Sequence, residues 1–185
     1  MTGKLFIVAG CSGVGKGTLI NEFLKRNDDI IFSISYTTRL PRPMEEDGVN
    51  YFYITKDKFE EMIENDGFIE YAEFSGNYYG TGKQFIEKKL SEGKNVLLEI
   101  EVKGCRQVKH KIPDAVSIFV LPPSLEELEN RLRGRNTESE EVIQRRLSIA
   151  KSELEESKNF DYCVVNDNIE NALNKMQRIY ESKKG

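Results

Sequence analysis

The chain has 185 residues, 38% of them hydrophobic and 31% charged, a balance ordinary for one globular domain large enough to bury a core. Its formal net charge of −4 argues against a global basic surface for nucleic acid, so any anion site must come from local arginine and lysine clusters. The three cysteines, Cys11, Cys105 and Cys163, are far apart and form no CxxC pair, which argues against a disulfide framework or zinc site and suits a reducing cytoplasm.

In chain order, the apolar run 5–9 reads as a fully buried strand. It is too short for the apolar region of a signal peptide, and no transmembrane run follows it. Residues 10–17 form a glycine-rich loop, and 18–25 have helical spacing. A second strand is predicted over 30–35. The segment Arg39-Leu40-Pro41-Arg42-Pro43 cannot lie inside a helix, and Gly48 marks a turn. Short strands follow at 51–54 and 68–74 with a helix over 56–65 between them, and this strand-rich insert ends near Gly82.

Strands and helices alternate from there: a helix over 85–92, a buried strand over 96–100 and another over 115–121, stopped by Pro122-Pro123. Ser124 with Glu127 is a capping box that opens a helix, and Thr137 with Glu140 is a second that opens a long helix to about residue 157. A strand over 162–165 and a helix over 169–180 complete the chain. Buried strands alternating with helices predict an α/β fold with a parallel core sheet flanked by helices.

Gly10-Cys11-Ser12-Gly13-Val14-Gly15-Lys16 has the spacing of a P-loop, placed between a strand and a helix as that motif requires. Glycines let backbone N–H groups converge on phosphate oxygens, and the helix adds its N-terminal dipole. Lys16 places a cation at the β- and γ-phosphates, where charge develops during transfer. The hydroxyl residue that normally follows the lysine is absent: Gly17 stands there, with Thr18 next. Mg²⁺ arriving with ATP is therefore expected to be held mainly by phosphates and waters, with no direct protein ligand assigned. A P-loop alone leaves GTPases, kinases and transporters open. A helix N-terminus and Lys16 would lower the pKa of Cys11, but a spacer offering only its backbone is the preferred reading for this residue.

The form Gly15-Lys16-Gly17-Thr18 resembles that of nucleoside-monophosphate kinases. Ser35-Tyr36-Thr37-Thr38-Arg39-Leu40-Pro41-Arg42, Asp47 to Tyr53, Phe68-Ile69-Glu70-Tyr71-Ala72 and Gly76 to Thr81 together resemble the guanylate kinase family, and the likeness runs from about residue 4 to residue 180. The resemblance implies a P-loop kinase fold, ATP and GMP (with dGMP) as substrates, Mg²⁺ with ATP, a cytoplasmic enzyme of purine metabolism that is a monomer or homodimer, and no nucleic-acid or membrane partner. It implies one domain over 1–185: a core of 4–36, 84–125 and 147–182, a GMP-binding insert of 37–83 and a lid of 126–146.

Residue roles follow from the same resemblance. ATP falls to Gly10, Cys11, Ser12, Gly13, Val14, Gly15, Lys16, Gly17, Thr18, Arg131, Arg135 and Asn166. Arg39 and Arg42 match the residues that grip the GMP phosphate, a role that suits the bidentate guanidinium, and Tyr51 and Tyr79 add phenolic donors. Glu70 matches the carboxylate that accepts from guanine N1–H and N2–H, while Ser35 and Thr81 match guanine contacts. Glu101 stands where the family commonly has Asp, near the guanine and Mg²⁺ region. Lys16, Arg39, Arg135 and Arg146 are the electrostatic candidates for catalysis, the last two from the lid. Arg133, Arg145 and the single histidine, His110, read as surface residues. The rival readings are a non-enzymatic module of the same fold and a kinase for another monophosphate; the retained Gly15-Lys16 speaks against the first.

Overall fold

The computed structural model describes residues 3–74, 76–134 and 139–185. Two sheets divide the work. The core sheet contains β1 (Leu5–Gly10), β2 (Ile30–Phe32), β7 (Asn95–Glu99), β8 (Val116–Leu121) and β9 (Tyr162–Val165), in the order β2-β7-β1-β8-β9, with every neighbouring pair parallel. The smaller sheet contains β3 (Tyr36–Thr37), β4 (Phe52–Tyr53), β5 (Phe68–Phe74) and β6 (Asn77–Gly82), in the order β4-β3-β6-β5, and is mostly antiparallel.

Alternation along β1 explains the layers. Phe6 and Val8 face a cluster built with Leu19, Ile20 and Phe23 of α1 (Lys16–Arg26) and Leu173, Met176 and Tyr180 of α7 (Ile169–Lys183). Leu5 and Ile7 face the opposite way, toward Ile86 of α3 (Lys83–Ser91) and Cys105 and Val108 of α4 (Val102–Lys111). A third cluster joins Cys11 and Phe119 to α5 (Leu125–Arg133) and α6 (Glu140–Glu156) through Leu128, Leu132, Ile143 and Leu147. Parallel strands buried on both faces account for the continuous apolar runs.

The structure corrects the sequence reading in three places. The second strand ends at Phe32 rather than residue 35: Ser33 N–H still reaches the Leu97 carbonyl at 3.0 Å, then the chain leaves the core sheet and the Ser35 carbonyl accepts Phe52 N–H at 2.9 Å. Segment 77–82 is a full strand, β6, although it holds Gly80 and Gly82. Gly80 is required there because a Cβ would sit 2.9 Å from the Phe68 ring and 3.0 Å from that of Phe59, two rings stacked at 4.3 Å. Finally, 102–111 is the helix α4, which the sequence reading left unassigned. The remaining helix of the insert, α2 (Lys56–Glu64), is capped by the Thr55 hydroxyl accepting Lys58 N–H.

Of the two capping boxes, Ser124 accepts Glu127 N–H at 3.0 Å as expected. Thr137 lies outside the described residues, and the N-cap position of α6 is Ser139.

Candidate active site

The loop after β1 closes on itself as an anion cradle. Gly13 (φ 87°) and Gly15 (φ 90°) occupy the left-handed region, which turns successive N–H groups inward, and α1 begins at Lys16. Lys16 Nζ donates to the carbonyls of Gly10 (2.6 Å) and Cys11 (3.2 Å), so the ammonium lies folded across the cradle. Gly17 and Thr18 follow in the first turn of the helix.

Cys11 is fully buried, and its thiol points to the Ala150 carbonyl at 3.6 Å. Burial, with Glu153 nearby, pushes that thiol up to about 12, against the smaller opposing effect of Lys16. The residue is therefore a spacer with an inert side chain, as preferred from the sequence.

Arg131 and Asn166, expected on the ATP side, meet at the loop. Asn166 Nδ2 donates to the Val14 carbonyl at 2.8 Å, and Arg131 reaches that same carbonyl at 3.4 Å and the Asn166 carbonyl at 3.1 Å. Glu127 holds Arg131 Nε at 2.9 Å. Arg146 lies on α6, while Arg135 lies outside the described residues. Arg133 is occupied by Glu129 at 2.7 Å and by Glu140, in keeping with the surface role expected of it.

The small sheet and its loops carry the second set. Arg39 is fixed on three sides: Nη1 donates to Glu45 Oε2 at 2.9 Å and to the Leu40 carbonyl at 2.8 Å, and Nη2 donates to Glu45 Oε1 at 3.1 Å. The Tyr51 and Tyr53 rings lie 5.5 and 5.9 Å from its guanidinium carbon. Glu45 is the hub, also accepting Tyr53 O–H at 2.9 Å and Arg42 N–H at 2.8 Å. The Arg39 guanidinium first, and the Arg42 amide second, hold this carboxyl down to about 2. Tyr79 lies beside Arg39 and packs edge-on against Tyr51, centroids 6.0 Å apart. The Arg42 side chain is exposed.

Glu70 and Thr81 face each other across β5 and β6, and Thr81 Oγ1 donates to Glu70 Oε1 at 2.6 Å. Both are buried, Glu70 to 5% exposure. Burial is the main reason the Glu70 carboxyl is pushed up to about 7; the Thr81 hydroxyl opposes the shift and Glu101 adds to it. Glu101 is exposed at the N-cap position of α4, making no side-chain cap bond, and it raises Glu153 as well as Glu70. Ser35 contributes its carbonyl to the junction of the two sheets.

Three further carboxylates near these groups received no role in the sequence reading. Glu99, at the carboxyl end of β7, is raised by burial and lowered by Lys16; the half-buried Tyr51 phenol is raised first by burial and then by Glu99. It lies one alternation from Glu101, which was the visible signal. Glu153 of α6 accepts Ser12 N–H, is raised mainly by burial, and keeps Oε2 buried without a hydrogen-bond partner among the described residues. Glu45 was hidden in an acidic loop, and only its four donors single it out.

Among the described residues, no group of three or more histidine, cysteine, aspartate or glutamate side chains is placed to hold a metal ion, and no helix is long and apolar enough to cross a membrane.

Comparison with known proteins agrees with this arrangement. The guanylate kinase family model matches residues 2–183. A guanylate kinase of Synechococcus sp. (strain JA-3-3Ab) is 50% identical over 177 residues, covering 96% of this chain and 82% of that relative. A guanylate kinase of Clostridioides difficile (strain 630) is 50% identical over 182 residues, covering 98% and 89%. The crystal structure of guanylate kinase from Anaplasma phagocytophilum superimposes with a TM-score of 0.82 at 29% identity, covering 99% of this chain and 87% of that one. With a family match over residues 2–183 and relatives 50% identical over nearly its whole length, the chain belongs to the guanylate kinase family.

Proposed function

We propose that the reaction is direct in-line transfer of the γ-phosphoryl group of ATP to the phosphate of GMP, giving ADP and GDP. The chain is an ATP:GMP phosphotransferase. The observation that carries the assignment of roles is the link between the two halves of the crevice. Half-buried Glu99 neighbours both sides: burial raises its carboxyl and Lys16 of the cradle lowers it, while the Tyr51 phenol is raised first by burial and then by Glu99. This nearness supports a reading in which the donor and acceptor ends meet beside Glu99, as in-line displacement needs.

In this reading, loop N–H groups and Lys16 hold the ATP phosphates, and Arg131 and Asn166 border the adenine. Arg39, Arg42, Tyr51 and Tyr79 hold the GMP phosphate. Glu70, with Ser35, Thr81 and Glu101, reads guanine, and dGMP is accepted too. Arg135 and Arg146 cover the reacting phosphoryl group from the lid, neutralising charge and excluding water. Mg²⁺ would enter with ATP as part of the substrate and help neutralise the phosphate charge. Gly17 offers it no hydroxyl, so the protein's share is the cradle around the complex. The enzyme works in the cytoplasm.

A coupled assay for ADP offering GMP, AMP, UMP and CMP separately is expected to give turnover with GMP at least about 100-fold above the others in kcat/KM, since a buried carboxylate facing the wrong edge is left unpaired. Comparable rates with AMP would reject the base assignment.

The insert of 37–83 and the lid of 126–146 both carry arginines assigned to the substrates, and two anionic substrates bound between them are expected to draw them together. Small-angle scattering at saturating GMP with a non-hydrolysable ATP analogue should therefore give a smaller radius of gyration than the free protein. An unchanged radius at saturation would count against closure.

A further inference from the structure

α4 carries a glycine that the helix itself does not want. Gly104 lies in the buried first half of Val102–Lys111 with an ordinary helical backbone, where any L residue fits and alanine is a better helix former. What excludes a side chain is the neighbour. A Cβ on Gly104 would lie 2.4 Å from Glu70 Oε2, 3.0 Å from Glu70 Cδ and 3.4 Å from Ile100 Cδ1. The nearest atoms belong to the buried carboxylate on β5, not to packing apolar groups.

Both sides are tethered, so relief would have to come from displacing the carboxylate. Glu70 Oε1 is held by Thr81 Oγ1 at 2.6 Å, and the Glu70 and Thr81 backbones are paired across β5 and β6. The helix is fastened to β5 on the same face. Gln107 Nε2 donates to the Tyr71 carbonyl at 2.8 Å, and Gln107 Oε1 accepts Tyr71 N–H at 3.2 Å. One turn further, Lys111 Nζ donates to the Phe68 carbonyl at 3.0 Å. Positions 104, 107 and 111 are spaced i, i+3, i+7, one stripe of the helix, and all three meet β5 on either side of Glu70.

We propose that Gly104 is a specificity-determining position: the missing side chain, on a helix clamped to β5 by Gln107 and Lys111, is what lets the Glu70 carboxylate stand at the depth where it meets the guanine edge. The proposal rests on Glu70 being the base reader. Gly104 touches no substrate itself; it acts through Glu70.

The test compares Gly104→Ala, Glu70→Gln and the double variant Gly104→Ala/Glu70→Asp in the intact chain, measuring kcat and KM for GMP and AMP, KM for ATP, and thermal melting. In Gly104→Ala the carboxylate must shift by about 1 Å to reach ordinary contact, and misplacement on that scale costs on the order of 10- to 100-fold. The expected result is a GMP KM raised at least about 10-fold and a GMP-to-AMP preference reduced by a similar factor, with ATP KM and melting temperature retained. Glu70→Asp shortens the side chain by one methylene, so the double variant should fold and recover part of the GMP preference lost in Gly104→Ala. If Glu70→Gln keeps the full GMP preference, the reader assignment fails and the proposal fails with it. If Glu70→Gln loses the preference while Gly104→Ala keeps it, the reader stands and only the role of Gly104 is overturned. Loss of GMP and ATP binding together, unrelieved in the double variant, would mark Gly104 as merely structural and overturn the proposal as well.

Discussion

Replacing Lys16 with methionine lowers kcat at least about 100-fold, equivalent to about 2.7 kcal/mol of transition-state stabilisation, and leaves the fold intact. Methionine keeps the unbranched stem and removes the charge. In the ligand-free protein that charge rests on the Gly10 and Cys11 carbonyls at 2.6 and 3.2 Å, which water can satisfy in its place. During transfer it opposes the negative charge spreading over the γ-phosphoryl oxygens, where no water can substitute. The substitution also strips Glu99 and Glu153 of the cation that lowers both, so each becomes easier to protonate. ADP formation at saturating ATP and GMP, with a melting curve as the fold control, checks the result. Near-normal turnover would sink the catalytic assignment of the cradle.

Glu70→Gln produces the second large effect, and it has a pH signature. Gln keeps the shape but turns one acceptor into a donor facing guanine N1–H and N2–H. We expect kcat/KM for GMP to fall about 10- to 100-fold, 1.4 to 2.7 kcal/mol, and the GMP-to-AMP ratio to fall with it. Arg42→Met should weaken every monophosphate alike and leave that ratio nearly constant, because phosphate carries no base information.

The stability effect runs the other way. Burial raises the Glu70 carboxyl from its ordinary 4.5 to about 7, so between those values the folded state holds a proton that the unfolded chain has released. A raised carboxyl favours the folded state below the unfolded value and loses that advantage as pH climbs through the folded one. Above pH 7 the buried anion therefore costs on the order of 3 kcal/mol, an upper figure for a group this buried. Glu70→Gln removes that cost. It should melt higher than the parent at pH 8 and match it near pH 4. GMP affinity of the parent should rise from pH 6 to pH 8 as the carboxylate forms. The GMP phosphate also titrates near pH 6, so the parent is compared with Glu70→Gln, which should show the phosphate contribution alone. Equal melting gains at both pH values would contradict a buried, proton-holding Glu70.

Much of the site could be read along the chain because its parts are local. A strand, a glycine loop, a lysine and a helix follow one another within 5–26, and each is specified by its own residues: an apolar run, the φ values only glycine takes readily, and helical spacing. The ordered motifs around Arg39, Tyr51, Glu70 and Tyr79 marked the acceptor side, and the alternation of buried strands with helices marked a parallel sheet. Where local cues conflicted with tertiary packing, the sequence was silent. β6 looks too rich in glycine for a strand until the Phe59 and Phe68 rings are seen to fill the space above Gly80. α4 opens without a side-chain cap and holds Gly104, so its helical signal is weak, and the reason for the glycine lies on β5. Strand β2 ends early because Ser35 is claimed by Phe52 rather than by the core sheet.

The sequence by itself determined the fold class and the strand–glycine loop–helix unit, since those depend on periodicity and backbone conformation at short range. Only the tertiary structure decided which carboxylates are structural and which are held ready. Glu45 is locked by Arg39, Arg42 and Tyr53, Glu153 is drawn to Ser12 from a distant helix, and Glu70 is buried against Thr81 with its proton affinity raised. A carboxylate's charge state and orientation depend on burial and on partners brought from elsewhere in the chain, and no local pattern records either.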